Sequence, residues 1–183
     1  IDPDILYENY VTLSDWKFQP HIHRVVELIR GSAMISPDER ILEVGSNDGR
    51  FLHVLRTEGF DNLTGIEPAQ DARDSALAKG VETLPGFFDR AMAGMFVDTH
   101  GQCDLLIARH VLEHIGDLRE FGAAIQIALR PGGHVVIEVP DFSCSLEMFD
   151  YTLWEEHVNY FTIDTLRRFL AAIGVEIIHD ERV

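Results

Sequence analysis

The sequence predicts an α/β protein with a doubly wound, mostly parallel sheet. Short apolar runs of four to six residues recur along the chain, separated by amphipathic helical stretches. The runs are apolar almost throughout rather than at alternate positions, as expected of parallel strands covered on both faces. At 183 residues the chain has the size of one domain, able to bury about 70% of its unfolded surface. Right-handed crossovers then make a doubly wound sheet the natural architecture.

Taken in order, residues 1–19 (IDPDILYENYVTLSDWKFQ) lack a clear period and read as an N-terminal arm or lid, leaving 20–183 as the folded domain. From Pro20 an amphipathic pattern runs through Ile22, Val25, Val26, Leu28 and Ile29, weakens at Gly31 and ends at Pro37. Arg40–Val44 is the first strand and Gly45-Ser-Asn-Asp-Gly49 its turn, followed by a helix carrying Phe51, Leu52, Val54 and Leu55. Leu63–Ile66 is the second strand, closing on Glu67, with an alanine-rich helix after Pro68. Val81–Leu84 makes a third strand and Asp104–Ala108 a fourth, with a helix over 117–129 behind it. Pro131–Gly133 is a turn, and His134–Val139 a fifth strand stopped by Pro140. Thr162–Ile173 is helical, Gly174 caps it, and Val175–His179 opens a sixth strand.

Composition bounds the partners. Lys plus Arg number 15 against 31 Asp plus Glu, a net charge of −16, and mean hydropathy is near zero. Such a surface repels phosphate backbones and anionic lipid, so neither a nucleic-acid nor a membrane partner is expected. The two cysteines, Cys103 and Cys144, lack CxxC spacing, which argues against a disulfide framework and a cysteine-based zinc site. No apolar run reaches the ~18 residues of a membrane span and no signal segment opens the chain. The expectation is a cytoplasmic protein. Its first residue is Ile1 rather than Met, so a fragment or processed chain is expected.

Ligands of doubly wound sheets bind where the strands end, near the topological switch point. Gly45 and Gly49 flank the first strand–helix turn, where glycine permits positive φ and helix N–H groups face a ligand. Asn47 occupies the place of the middle glycine in GxGxxG, which counts against a nicotinamide enzyme. Glu67 ends the second strand eighteen residues after Gly49, where an acid takes both hydroxyls of a ribose. The bland alternative is a tight turn with a solvated glutamate.

Glu43-Val-Gly45, Gly49 and Glu67 resemble the cofactor site of class I S-adenosylmethionine-dependent methyltransferases over roughly residues 40–140. A narrower family matches further. Glu43-Val-Gly-Ser-Asn-Asp-Gly49, Arg109-His-Val-Leu-Glu-His-Ile115, Glu138-Val-Pro140 and Trp154-Glu-Glu-His157-Val-Asn-Tyr160-Phe161 resemble, in order, four segments of sugar C-methyltransferases acting on nucleotide-linked keto-sugars. The resemblance implies S-adenosyl-L-methionine as cofactor and a small-molecule acceptor, methylated at carbon. Glu43, Gly45, Ser46, Asn47 and Gly49 would cradle the methionine part and Glu67 the ribose. Phe87 and Phe88 would flank the adenine, with Arg109 and His110 under the sulfonium. The arm would act as a lid, with Tyr10 and His23 facing the site. Carbon methylation requires removal of a ketone-adjacent proton, and His157 stands where the family has a histidine suited to that task.

The sequence also departs from that family. Trp154 replaces the tyrosine that opens the last segment and Glu155 replaces its first histidine; an indole cannot take a proton from carbon, so the base chemistry is lost unless His157, Glu155 or Tyr160 carries it. A cysteine-rich zinc segment before the domain, a further domain after it and the antiparallel seventh strand have no counterpart, as expected of a piece of a larger enzyme or a smaller relative. No metal ligands are assigned. Two alternatives come from other classes. One is a cofactor-binding module without acceptor chemistry; the other is a zinc hydrolase using His110-Val-Leu-Glu113-His114, which fits H-x-x-E-H but has barely one helical turn to stand on.

Overall fold

A computed structural model describes residues 21–31, 35–149 and 153–182; the arm at 1–19, with Tyr10, lies outside them. The elements in chain order are α1 (His21–Gly31), β1 (Ile41–Val44), α2 (Arg50–Thr57), β2 (Leu63–Glu67), α3 (Gln70–Ala78), β3 (Glu82–Pro85), α4 (Arg90–His100), β4 (Cys103–Arg109), a 3₁₀ turn (Leu112–His114), α5 (Leu118–Ala128), β5 (Leu129–Glu138), α6 (Ser143–Glu147) and α7 (Ile163–Ala172). The strands form one parallel sheet of order β3-β2-β1-β4-β5. The chain reverses its direction of travel at β1, which places the switch point between β1 and β4.

Alternation along each central strand divides the core into two layers. Leu42 and Val44 of β1 and Leu106 and Ala108 of β4 pack toward α4 and α5, around Phe96 and Phe121. Ile41, Leu105 and Ile107 pack on the other face against α1 and α2, around Ile29, Phe51, Leu52 and Leu55. Burial of β1 along its whole length explains its uniformly apolar sequence, broken only by Glu43.

The sequence-based expectations meet three differences. Helix α4 is absent from the apolar periodicity because Gly94, Ala93 and Ala91 dilute it; its start is set by Asp89, whose side chain accepts the Met92 N–H at 2.8 Å. The Pro131–Gly133 turn lies inside β5 as a register shift, Cys103 pairing with Leu129 and Leu105 with His134. The expected sixth strand, Val175–His179, does not form. Its first N–H turns back to the Leu170 carbonyl at 2.9 Å, and the acids that follow reach exposed arginines, Glu181 to Arg24 and Asp180 to Arg167. An apolar run becomes a strand only with a partner edge, and β5 is left as the sheet's edge among the described residues.

Candidate active site

The β1–α2 turn is built from the backbone outward. Gly45 and Ser46 donate their N–H groups to the Ile66 carbonyl at 2.8 and 3.1 Å, and Asn47 donates its N–H to Glu67 Oε2 at 2.9 Å. Gly45 and Gly49 have φ of 66° and 70°, which l-residues rarely adopt. A Cβ at Gly45 would lie 2.6 Å from Val111 Cγ2, and one at Gly49 would lie 2.9 Å from Ala76 Cβ. Asn47 takes the same left-handed conformation, φ 47°, tolerated by its short polar side chain. That explains how the turn closes without the middle glycine.

The turn keeps polar capacity in reserve. Ser46 Oγ and Glu43 Oε2 are buried with no protein hydrogen-bond partner, a costly condition unless a ligand supplies one. Glu67 spends one lone pair of each oxygen on a backbone N–H, Asn47 and Ala69, both at 2.9 Å; each oxygen keeps a second for a hydroxyl. These features fit an adenosyl ligand carrying an amino acid moiety. Burial pushes the Glu67 carboxyl up, and the two N–H groups oppose it. Burial pushes Glu43 up to about 8, against the pull of the Arg109 guanidinium. Asp48, which the sequence gives no role, is buried on the ammonium of Lys79 at 3.1 Å.

Arg109 and His110 stand on either side of Glu138. Arg109 Nε donates to Glu138 Oε2 at 2.6 Å, with its guanidinium 4.4 Å above the Phe51 ring; it is buried and neutralised, not exposed toward a ligand. His110, held at φ 53°, reaches Glu138 at 3.4 Å and Glu113 at 3.6 Å. Burial lowers its pKa, but the two carboxylates prevail and raise it to about 9. Burial likewise raises Glu138, and His110 with Arg109 overcomes that and holds it at about 2. His21, not His23, brings α1 to this cluster, 3.1 Å from Glu138; His23 lies on the exposed side of α1.

Beyond the ends of β4 and β5 a cavity is lined by Glu113, Pro140, Asp141, Phe142, His157 and Tyr160 among others. The segment 153–160 is stitched to the 3₁₀ turn. Val158 and Asn159 donate N–H groups to the Glu113 carbonyl, and Asn159 Nδ2 donates to the Leu112 and Ile115 carbonyls at 3.0 and 2.7 Å. Burial and the neighbouring His114 lower the His157 pKa, favouring neutral imidazole. The Tyr160 hydroxyl accepts the Trp154 N–H at 2.9 Å and donates to the Trp154 carbonyl at 3.1 Å, so it closes the loop on itself.

The structure thus brings His157 and Tyr160 to one cavity and leaves Glu155 exposed, outside the cavity lining. Phe88 is committed to the core, edge-on to Phe121 at 5.4 Å, while Phe87 is 46% exposed. His110 and His114 do not share a helix face: the turn between them is a three-residue 3₁₀ helix, His110 turns to Glu138, and His114 turns to the Glu156 carbonyl at 3.0 Å. The H-x-x-E-H zinc arrangement is therefore not formed.

The methyltransferase domain family matches residues 17–180. The C-methyltransferase NovU of Streptomyces niveus is 28% identical over 182 residues, 97% of this chain and 43% of that protein. The ubiquinone biosynthesis O-methyltransferase of Cronobacter sakazakii is 31% identical over 101 residues, 53% of this chain and 40% of that protein. The chain therefore spans about two fifths of the length of these curated relatives. In fold it is similar to an S-adenosylmethionine-dependent methyltransferase of Geobacter sulfurreducens solved with S-adenosyl-L-homocysteine. That likeness has a TM-score of 0.59 and 17% identity, covering 98% of this chain and 73% of that one. A methyltransferase of the same dependence from Anabaena variabilis gives a TM-score of 0.66 at 15% identity, covering 92% and 76%. Among the described residues no helix is long and apolar enough to cross a membrane.

Proposed function

The chain belongs to the methyltransferase domain family, with the class I, S-adenosylmethionine-dependent fold, and from that premise we propose that it methylates a carbon beside the ketone of a keto-sugar, carried on a nucleotide. One observation carries the reading: the segments 109–115, 138–140 and 154–161, distant in sequence, supply Glu113, Pro140, His157 and Tyr160 to the lining of one cavity, and Val111 of the first segment packs against Gly45 of the glycine turn.

In this reading Gly45, Ser46, Asn47 and Gly49 hold the methionine part of S-adenosylmethionine, with Glu43 behind them; Glu67 takes the ribose, and Phe87 offers a face to the adenine. The cofactor, when bound, supplies an electrophilic methyl group. The chain's own task is to place a nucleophilic carbon opposite it. Neutral His157 removes the proton next to the ketone and becomes imidazolium, leaving an enolate. Protonated His110 stands at the same end of the sheet, between Glu138 and Glu113, the second of which lines the cavity. Arg109 supports this arrangement from below through Glu138. Tyr160 holds the loop that carries His157.

The test is incubation with labelled S-adenosylmethionine and a panel of keto-sugar nucleotides, together with hydrogen–deuterium exchange at the acceptor carbon. Exchange that requires His157 supports the base assignment; label transferred only to oxygen, as the names of the ubiquinone relatives describe, would replace carbon by oxygen as the acceptor. A second reading, a cofactor-binding module without acceptor chemistry, is favoured by Trp154, 65% exposed where the family places a tyrosine. Cofactor binding with no transfer to any acceptor would select it.

A further inference from the structure

We infer that Glu113, His114 and His157 form a binding site for a zinc ion at the edge of the acceptor cavity. Their ligand atoms all lie within 4.8 Å of one another, and they come from two segments that the Asn159 and Val158 hydrogen bonds lock together. Three features select this cluster. Glu113 is 2% exposed, and its Oε2 is buried with no partner, an acceptor that a cation would satisfy. The His114 Nδ1 lies 3.0 Å from the Glu156 carbonyl; a carbonyl only accepts, so Nδ1 carries the hydrogen and Nε2 keeps its lone pair. An imidazole oriented by a backbone carbonyl through its other nitrogen is the arrangement metal-ligating histidines use. The His114 and His157 rings stand edge to face at 5.0 Å, so a modest movement of two half-buried side chains brings the donors to the spacing of about 3.3 Å that zinc–nitrogen bonds near 2.0 Å require.

The chemistry of the donors sets the ion. Two imidazoles with a single carboxylate favour zinc and its neighbours over magnesium or calcium, which require mostly oxygen. A second trio, His21, His110 and Glu138, is unsuited, because the Arg109 guanidinium already occupies Glu138 Oε2 at 2.6 Å and repels a cation. The site does not depend on the methyl-transfer reading. Its consequence does: a zinc ion on His157 takes the lone pair that the proposed base needs, so zinc would act as a reversible inhibitor.

The test uses the whole chain, stripped with chelator and desalted, without cofactor or acceptor. Calorimetric titration with zinc sulfate is expected to show one ion per chain, with no heat from magnesium chloride. His114→Ala and Glu113→Gln should each weaken zinc binding at least tenfold, and His21→Ala should leave it unchanged. Thermal melts establish that each variant is folded. On the unmodified chain, zinc should protect His114 and His157 from diethyl pyrocarbonate, read by mass spectrometry, and leave the exposed His53 as reactive as before. No zinc uptake, affinity that follows His21 instead, or no protection of His114 and His157 would overturn the site. Zinc bound at these residues with undiminished methyl transfer would retain the site and remove His157 as the base.

Discussion

The Glu67 carboxylate accepts the backbone N–H of Asn47 at 2.9 Å, so the acid that ends β2 also fixes the middle of the turn that ends β1. One side chain thus shapes the turn, and in the proposed function its remaining lone pairs take a ribose.

Replacing Glu67 tests both tasks. Glu67→Ala leaves the Asn47 and Ala69 N–H groups without their buried acceptor and removes the proposed contacts to the ribose hydroxyls. S-adenosylmethionine affinity should fall by about 1–3 kcal/mol, the scale of a lost hydrogen bond to a charged group. Glu67→Gln retains one acceptor oxygen but turns an amide N–H₂ toward a backbone donor, so it should lose most of that affinity too. Calorimetry measures both; unchanged affinity in either variant would separate Glu67 from the cofactor.

The contact between Gly45 and Val111 predicts a coupled pair. Gly45→Ala must keep φ near 66° and must place its methyl 2.6 Å from Val111 Cγ2. Cofactor binding should be lost or reduced more than tenfold. Val111→Gly in the same chain removes the collision but not the backbone strain, so the double variant should recover part of the affinity and of the thermal midpoint. Strict additivity of the two losses would mean that the residues do not meet.

How much of this was legible from sequence depends on the range over which each residue acts. The strands β1, β2 and β4 are central and covered on both faces, so burial writes itself into an apolar run. The turn announces itself through glycine spacing, and Glu67 through its place at a strand end. The Arg109–Glu138 pair is invisible to pattern because it arises from strand register, the two residues being direct partners across β4 and β5. The Tyr160 hydroxyl is quenched by the Trp154 backbone six residues away, a closure that no residue type discloses. The family resemblance points to His23, whereas His21 meets Glu138, because an amphipathic pattern does not fix which histidine of the helix reaches the end of the sheet. The apolar run at 175–179 shows the opposite limit: a strand-like sequence cannot say whether an edge is there to receive it.

Glu43 makes stability depend on pH in a stated direction. Its carboxyl titrates at 4.5 when unperturbed and at about 8 in the fold, so the folded state holds the proton over an interval where the unfolded chain has released it. Stability contributed by this group therefore falls as pH rises from 4.5 toward 8 and is level beyond. Glu43→Gln removes that dependence. The variant should match the native chain's thermal midpoint at pH 4.5 and exceed it at pH 8.5, where the difference in unfolding free energy is on the order of a few kcal/mol. Equal midpoints at both pH values would mean that the buried carboxyl is fully compensated by Arg109.

His157 and Tyr160 lie in one loop, with ring centroids 5.9 Å apart, yet their roles predict opposite kinetic signatures. His157→Ala removes the proposed base and should depress kcat by 10²–10⁴-fold, the range of general base catalysis, while cofactor affinity stays near its native value. Tyr160→Phe deletes a hydroxyl whose hydrogen bonds, among the described residues, go to the Trp154 backbone, leaving one carbonyl and one N–H to water on an exposed loop. It should cost about 1 kcal/mol of loop stability and appear in KM for the acceptor more than in kcat. Proton exchange at the acceptor carbon separates the two cleanly, because it needs the base but not the methyl donor: it should vanish in His157→Ala and persist in Tyr160→Phe. Loss of exchange in Tyr160→Phe alone would make the phenol the base, and the Trp154 hydrogen bonds would then have to open during turnover.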